Sequence, residues 1–218
     1  MFLNREEAGT RLAVRLSSEK AIGDSSIIAI PRGGVVVGKA ISEILGIPLG
    51  VLIVKKIGAP QNPELAIGAT GSDGMVFWDE KLMEYLGVSE KEKEEALLET
   101  IRTIKEREEG LGIKIPNIKG KIALVVDDGV ATGATAISTS MILKKLGAKK
   151  VILATPVISR RTKKELEEHF DKIVSVETPR EFGAVGQFYQ EFPQVEDEEV
   201  RKLLKGVRGT KSTRGIRS

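Results

Sequence analysis

Cysteine is absent from the 218-residue chain, and histidine occurs once, at His169. Without cysteine the chain can form neither a disulfide framework nor a thiolate metal site, and it has no cysteine nucleophile. A single histidine is too few for a multi-histidine metal centre. These two absences exclude several catalytic classes before any motif is considered.

Long apolar runs are lacking as well. No stretch approaches the roughly 20 apolar residues that a membrane-spanning helix requires. The first seven residues, MFLNREE, carry charges where a signal peptide would be apolar. Apolar residues still make up 41% of the chain, which is enough for a sizeable core. We therefore expect a soluble, cytoplasmic protein without a membrane partner.

Acidic residues are missing from the end of the chain. None follows Glu199, although the net charge of the whole chain is only +3. Residues 206–218 also lack apolar content, so they are predicted to form a disordered basic tail. Such tails can bind nucleic acid, but a solvated terminus is the favoured interpretation. The basic residues are Arg201, Lys202, Lys205, Arg208, Lys211, Arg214 and Arg217.

Short runs rich in Val and Ile alternate with helical segments. The runs at 27–30, 51–54, 122–126, 151–154 and 173–176 are predicted to be strands. Gly46 and Gly147 mark the ends of two intervening helices. Because continuous apolar strands alternating with helices are typical of parallel sheets covered on both faces, the sequence predicts an α/β fold with a doubly wound parallel sheet.

Other segments are predicted to be appendages of this sheet. Residues 55–74 are rich in Gly, Pro, Asn and Gln, which favours a long loop with a short strand at 66–70. Ser89 and Glu92 form a capping box at the start of a charged outer helix that ends near Gly110. We expect one domain over 1–205, with an insertion at about 75–118 and a small helical or irregular hood at about 178–205.

The segment most informative about function is LVVDDGVATGAT, residues 124–135. A buried strand leads into Asp127 and Asp128, then into a turn of small residues, then into a helix. Ligands of open α/β sheets bind outside the carboxyl ends of the strands. The free N–H groups of such a turn and helix start can bind an anion, while the two carboxylates accept hydrogen bonds from hydroxyls. A phosphorylated sugar with two adjacent hydroxyls fits both features.

Other interpretations of this segment exist. Apolar residues before two acids also resemble a Walker B strand, but the chain has no Gly-x-x-x-x-Gly-Lys-Ser/Thr loop. Paired aspartates could instead form the metal site of a receiver or phosphatase domain, which would leave the Thr/Gly turn unexplained. A purely structural turn is a further alternative.

The segment resembles the phosphoribosyl-pyrophosphate (PRPP) fingerprint of type I phosphoribosyltransferases, which has four apolar residues, two acids, two variable residues and a small Thr/Gly turn. Gly129 departs from it, because that position is often apolar. The resemblance implies that Asp127 and Asp128 are catalytic and bind the ribose 2′- and 3′-hydroxyls. It also implies that the turn binds the 5′-phosphate through Ala131, Thr132, Gly133, Ala134 and Thr135.

Two further segments fit the same resemblance. Pro31-Arg32-Gly33-Gly34 follows the first strand, where the family has its pyrophosphate loop, so Arg32 and Gly33 are expected to bind pyrophosphate. Lys55 and Lys56 begin a segment that resembles the family's mobile loop. One of them would neutralise the leaving group, while the other can point outward because neighbours alternate sides. Their alternative role is a surface charge pair.

The resemblance further implies the reaction and its partners. The family transfers a phosphoribosyl group from PRPP to a nitrogenous acceptor, and Mg²⁺ arrives with the pyrophosphate and reaches Asp127 and Asp128 through the sugar or water. Val157, Phe188 and Tyr189 are candidates for acceptor binding, although packing is the favoured role for the aromatic residues.

The whole chain looks like a group of bacterial and archaeal phosphoribosyltransferases of unassigned substrate, and a homodimer is expected from that resemblance. Two alternatives stay open. One is a non-catalytic regulator that senses PRPP and could bind nucleic acid through the basic tail. The other is a hydrolase that uses water as acceptor.

Overall fold

The computed structural model describes residues 1–19, 22–71, 74–111 and 117–207. Seven α-helices, eight strands and one short 3₁₀-helix lie in these ranges. In chain order they are α1 (Arg5–Ser17), β1 (Ser25–Ala29), α2 (Gly33–Leu45), β2 (Leu49–Val51), β3 (Val54–Ala59), β4 (Asn62–Gly71), β5 (Val76–Trp78), α3 (Glu80–Leu86), α4 (Glu90–Leu111), β6 (Ile122–Val126), α5 (Ala134–Lys145), β7 (Lys150–Val157), α6 (Arg160–Leu166), β8 (Lys172–Glu177), the 3₁₀-helix (Val185–Phe188) and α7 (Asp197–Val207).

Five strands form a parallel sheet in the order β2-β1-β6-β7-β8. Successive side chains of β6 point to opposite faces, as strand geometry requires. Leu124 and Val126 pack with Leu12 and Val37 on the face that α1 and α2 cover. Val125 packs on the other face, with α5 and α6. The predicted doubly wound α/β fold is thereby confirmed.

The order of the strands reverses between β1 and β6. From β1 the chain passes through α2 to β2 on one side, whereas from β6 it passes through α5 to β7 on the other side. A crevice opens outside the carboxyl ends of two strands at such a switch point. The turns that follow β1 and β6 are therefore neighbours at the position where this fold class binds ligands.

A second, antiparallel sheet has the order β3-β4-β5. Residues 55–74 were expected to form mainly a loop, and this prediction is wrong because β3 and β4 form a long hairpin. Ile57 and Ala59 of β3 and Ile67 of β4 pack on a satellite core with α3 and α4. The glycines and prolines obscure this apolar pattern in the sequence. The predicted strand at 51–54 in fact joins the end of β2 to the start of β3.

Several element ends match their sequence signals, and a few do not. Gly46 and Gly147 have φ of 67° and 83°, the left-handed conformation that suits glycine after a helix. The Ser89 and Glu92 side chains each bond the other's backbone amide, as a capping box predicts. β7 continues to Val157, beyond the predicted end at residue 154.

The last described helix overlaps the predicted basic tail. α7 continues through Val207, so the backbone of residues 206 and 207 is helical, and the rest of the predicted tail, residues 208–218, lies outside the described residues. Within the described ranges, no helix combines the length and the apolar character needed to cross a bilayer.

Candidate functional site

The two predicted acids lie where β6 ends, at the switch point of the sheet. Val126 pairs with Ala29 of β1 and Ala154 of β7, so Asp127 leaves the sheet between two buried strands. The Asp128 amide donates to Asp127 Oδ1 at 2.9 Å. Burial, together with the neighbouring Asp128 charge, raises the pKa of Asp127 well above its usual value.

The turn at 131–135 forms a cup of backbone amides. Gly133 has φ of 76° and precedes the first residue of α5. Among the described residues, the N–H groups of 131–135 donate to no protein acceptor. The buried Thr162 hydroxyl donates to the Ala131 carbonyl at 2.7 Å and holds the turn from α6. A helix N-terminus with free amides is an anion site.

The turn after β1 touches the acid pair directly. The peptide bond between Pro31 and Arg32 is cis, and Arg32 is partly exposed. A Cβ on Gly33 would lie 1.8 Å from Asp128 Oδ2, and one on Gly34 would lie 2.6 Å from the Val126 carbonyl oxygen. The predicted pyrophosphate turn and the predicted ribose acids are therefore in contact, and both glycines are needed for it.

Two residues that the sequence did not indicate for this role hold Asp128. Arg5 Nε donates to Asp128 Oδ2 at 2.6 Å, and the Tyr189 hydroxyl donates to the Asp128 carbonyl at 2.5 Å. Arg5 lies on the first turn of α1, where an arginine resembles an ordinary surface residue. Because 123 residues separate it from Asp128, no local pattern could have indicated the pair.

The C-terminal aromatic segment packs on the fingerprint. A Cβ on Gly129 would lie 2.3 Å from Val185 Cγ1. Gly129, the position at which the fingerprint departs from the family pattern, therefore lies directly beneath the 3₁₀-helix. A smaller residue at this position allows the closer approach of the two segments.

Val157 and Tyr189, two of the candidates for acceptor binding, pack in the protein interior, and their role in acceptor binding stays a prediction. Both are buried, with exposures of 0% and 6%, in an apolar cluster that includes Phe2. The Tyr189 ring centroid lies 5.3 Å from that of Phe2, and the Tyr189 hydroxyl donates to the Asp128 carbonyl. Phe188 is partly exposed, with its ring centroid 5.1 Å from that of Phe182, and its role in acceptor binding stays a prediction.

Lys55 and Lys56 lie on β3 instead of a loop, and both are exposed. Lys55 Nζ donates to Thr103 Oγ1 of α4 at 3.0 Å. Together they line a cavity of about 360 Å³ between the hairpin and α4. Among the described contacts, none joins either lysine to Asp127 or Asp128. The structure thus brings the acids and the two turns together, but not the lysines.

The fold and this geometry define a class: a doubly wound α/β protein with an acid pair and an anion-binding turn at its switch point. The profile of the phosphoribosyl transferase domain matches residues 2–191. The chain belongs to this family, which confirms the predicted resemblance.

Relatives of known sequence or structure agree with the assignment. Two curated proteins from strains of Mycobacterium tuberculosis, whose names assign them provisionally to the phosphoribosyl transferases, are each 38% identical over 210 residues. The match covers 94% of this chain and 46% of each relative, so the chain spans about half the length of these curated relatives.

The fold also has structural counterparts. The crystal structure of the TT1426 protein from Thermus thermophilus superimposes with a TM-score of 0.84 and 32% identity, over 93% of this chain and 97% of that one. The AQ2163 protein from Aquifex aeolicus, at 14% identity and a TM-score of 0.51 over 84% and 78% of the two chains, shares the fold alone.

Proposed function

We propose that this chain binds PRPP and transfers its 5-phosphoribosyl group to a nitrogenous acceptor, a nucleobase or an amine, with release of pyrophosphate. The observation that carries the proposal is the position of three features at one switch point, where the glycine turn contacts the acid pair. These are the carboxylates of Asp127 and Asp128, the amide cup at 131–135, and the glycine turn at 31–34.

Each feature suits one part of the substrate. The carboxylates accept hydrogen bonds from the ribose 2′- and 3′-hydroxyls, and the cup donates to the 5′-phosphate. The Gly33 backbone lies beside Asp128, where the pyrophosphate on C1 would extend, and Arg32 precedes it in the same turn. This division of roles explains why the site needs neither cysteine nor histidine.

The proposed step balances without a side-chain nucleophile. An acceptor nitrogen forms a bond to ribose C1 while the bond from C1 to the pyrophosphate oxygen breaks. Pyrophosphate leaves with the electron pair, and the acceptor loses its proton to solvent. Positive charge develops on the sugar in such a step, so fixed carboxylates near the ribose and fixed donors near the leaving group are the groups that would lower the barrier.

The proposal includes Mg²⁺ as an ion that the substrate, more than the protein, would bind. The donor set fits an ion that takes most of its ligands from pyrophosphate and water, because Asp128 Oδ2 already faces the Arg5 cation at 2.6 Å. No group of three or more acid or histidine side chains that could hold a metal occurs in the described part of the chain. When bound, Mg²⁺ would neutralise the leaving pyrophosphate.

Calorimetry with PRPP and MgCl₂ tests the binding half of the proposal. We expect a saturable heat for the wild type and at least about tenfold weaker binding for Asp128→Asn. Asp24→Asn is the matched control, because Asp24 is an exposed aspartate that, among the described residues, pairs only with Lys121 at 3.8 Å. Absence of heat with the wild type would overturn the proposal.

A screen of nucleobases and amines for pyrophosphate release tests the transfer half. Release that depends on an acceptor supports a transferase, whereas release with water alone supports the hydrolase alternative. Binding of PRPP without any release, together with salt-dependent binding of RNA or DNA, supports the regulator. The homodimer stays a proposal that sedimentation of the full chain would test.

A further inference from the structure

Arg5 is a charged residue in an unusual place. It belongs to the first turn of α1, yet only 8% of its surface is exposed. Arginine is almost never buried unless it is paired. Here the guanidinium has three partners: Nε donates to Asp128, Nη1 donates to the Pro193 carbonyl at 2.7 Å, and the group lies 3.7 Å from the Phe192 ring centroid.

The Arg5–Asp128 pair is itself well enclosed. The side chains are 9% and 15% exposed, and the Nε–Oδ2 distance is 2.6 Å, which is short for a charge-assisted hydrogen bond. A Cβ on Gly33 would lie 1.8 Å from Oδ2 and 2.9 Å from Arg5 Nε. The carboxylate is therefore wedged between the guanidinium and the backbone of the turn after β1.

Asp128 is held at its main chain as well. The buried Tyr189 hydroxyl donates to its carbonyl at 2.5 Å, so both the backbone and Oδ2 are fixed by protein donors. In the described structure no protein group donates to Oδ1. Oδ1 is thus the oxygen left to accept a hydrogen bond from a ligand hydroxyl.

We infer that Arg5 is a positioning residue, which aims the Asp128 carboxylate so that Oδ1 meets a ribose hydroxyl of PRPP. The inference rests on the proposed function, and it adds to it a residue outside the fingerprint. Two adjacent carboxylates would otherwise repel each other. The Arg5 charge offsets one of them, so the pair can remain close together in a partly buried site.

A double-mutant cycle on PRPP binding tests this role. The variants are Arg5→Met, which keeps the length of the side chain but removes its charge and donors, Asp128→Asn, and the two combined. We expect each single variant to bind PRPP at least about tenfold more weakly, the loss typical of one hydrogen bond to a charged group. Because Arg5 acts through Asp128, adding Arg5→Met to Asp128→Asn should change affinity by less than about twofold.

Two further variants separate positioning from folding. Arg5→Lys keeps the charge and is expected to restore part of the lost affinity. Arg11→Ala is the matched control, because it removes an exposed arginine of the same helix that lies 5.3 Å from the Phe2 ring centroid. Its affinity for PRPP should equal that of the wild type. Thermal melting of every variant establishes that the folded protein is compared.

The outcomes are distinct. Losses that multiply in the combined variant, or wild-type affinity in Arg5→Met, would overturn the inference while leaving PRPP binding intact. No rescue by Arg5→Lys in a folded protein would also count against it. If the wild type itself gives no heat with PRPP, the proposed function fails first, and the role of Arg5 fails with it.

Discussion

The edge of the parallel sheet and the antiparallel hairpin present functional side chains in opposite ways. At the edge, Asp128 is held by Arg5 and Tyr189, and Gly33 leaves no room for even one added carbon. On the hairpin, Lys55 and Lys56 are exposed, and the described structure gives Lys55 a single side-chain hydrogen bond.

This difference matches the chemistry that each region would serve. A ribose presents hydroxyls at fixed spacing, so its acceptors gain from being positioned before the ligand arrives. A departing pyrophosphate moves, and a flexible ammonium group can follow it at little cost. The comparison predicts that small substitutions at the sheet edge strongly reduce PRPP binding or stability. Complete truncation of a lysine side chain on the hairpin should change either one only slightly.

The largest effect is expected from Gly33→Ala. Because the new Cβ would lie 1.8 Å from Asp128 Oδ2, the carboxylate must move and release Arg5. PRPP affinity should fall by about 100-fold or more, roughly 3 kcal/mol, as measured by calorimetry. Gly110→Ala is the control, since no described residue lies within 4 Å of its added Cβ. Equal affinities for the two variants would contradict a rigid sheet edge.

A loss of stability of about 2 kcal/mol is expected from Gly129→Ala, because the added carbon would overpack the core. Its Cβ would meet Val185 Cγ1 at 2.3 Å and push the 3₁₀-helix away from the fingerprint. The melting temperature should drop by about 6 °C. Val185→Ala in the same chain removes the colliding methyl groups and should recover most of the loss. Failure of this rescue would show that the two segments do not pack as described.

The structural features that the sequence predicted correctly are those formed by residues that are consecutive in the chain. The strand, the acids, the small turn and the helix at 124–135 are contiguous, so periodicity and residue type predicted both the switch-point strand and the amide cup. The same holds for β1 with its glycine turn. Glycines at 46 and 147 ended their helices as predicted, because a positive φ is a local property.

What the sequence could not supply depends on residues far apart. Arg5 meets Asp128 across 123 positions, and nothing near Arg5 distinguishes it from a solvated arginine. The hairpin was missed because its pairing partners, such as Lys56 with Ala69, determine it more than propensity does. Burial of Val157 likewise follows from the way the C-terminal segment folds back onto β7.

A gain in stability is expected from Asp127→Asn at neutral pH. The folded pKa of Asp127 is raised by burial and by the Asp128 charge, so the unfolded chain ionises first and stability falls as pH rises above the unfolded value near about 4. The variant lacks this penalty, and Asn can still accept from the Asp128 amide. Its melting temperature should exceed that of the wild type at pH 7 and match it below about pH 4. A variant that is less stable at pH 7 would show that the acid pair carries no such cost.

The smallest effects are expected on the hairpin, where Lys55→Ala and Lys56→Ala should each change stability by less than about 0.5 kcal/mol. Their effects on binding should differ, because neighbours on a strand face opposite sides. Lys55 bonds Thr103 of α4, whereas Lys56 shares its face with Val54, which packs on the same apolar cluster as Ile137 of α5.

The face of β3 that carries Lys56 therefore packs towards α5, the helix whose first turn forms the amide cup, while Lys56 also borders the cavity beside α4. We expect Lys56→Ala to weaken PRPP binding about threefold and to leave ribose 5-phosphate binding unchanged, with Lys55→Ala as the matched control that alters neither. A loss of PRPP affinity as large as that expected for Gly33→Ala would mean that the hairpin holds the ligand as rigidly as the sheet edge does. Equal losses for both ligands would place Lys56 near the 5′-phosphate instead of the pyrophosphate.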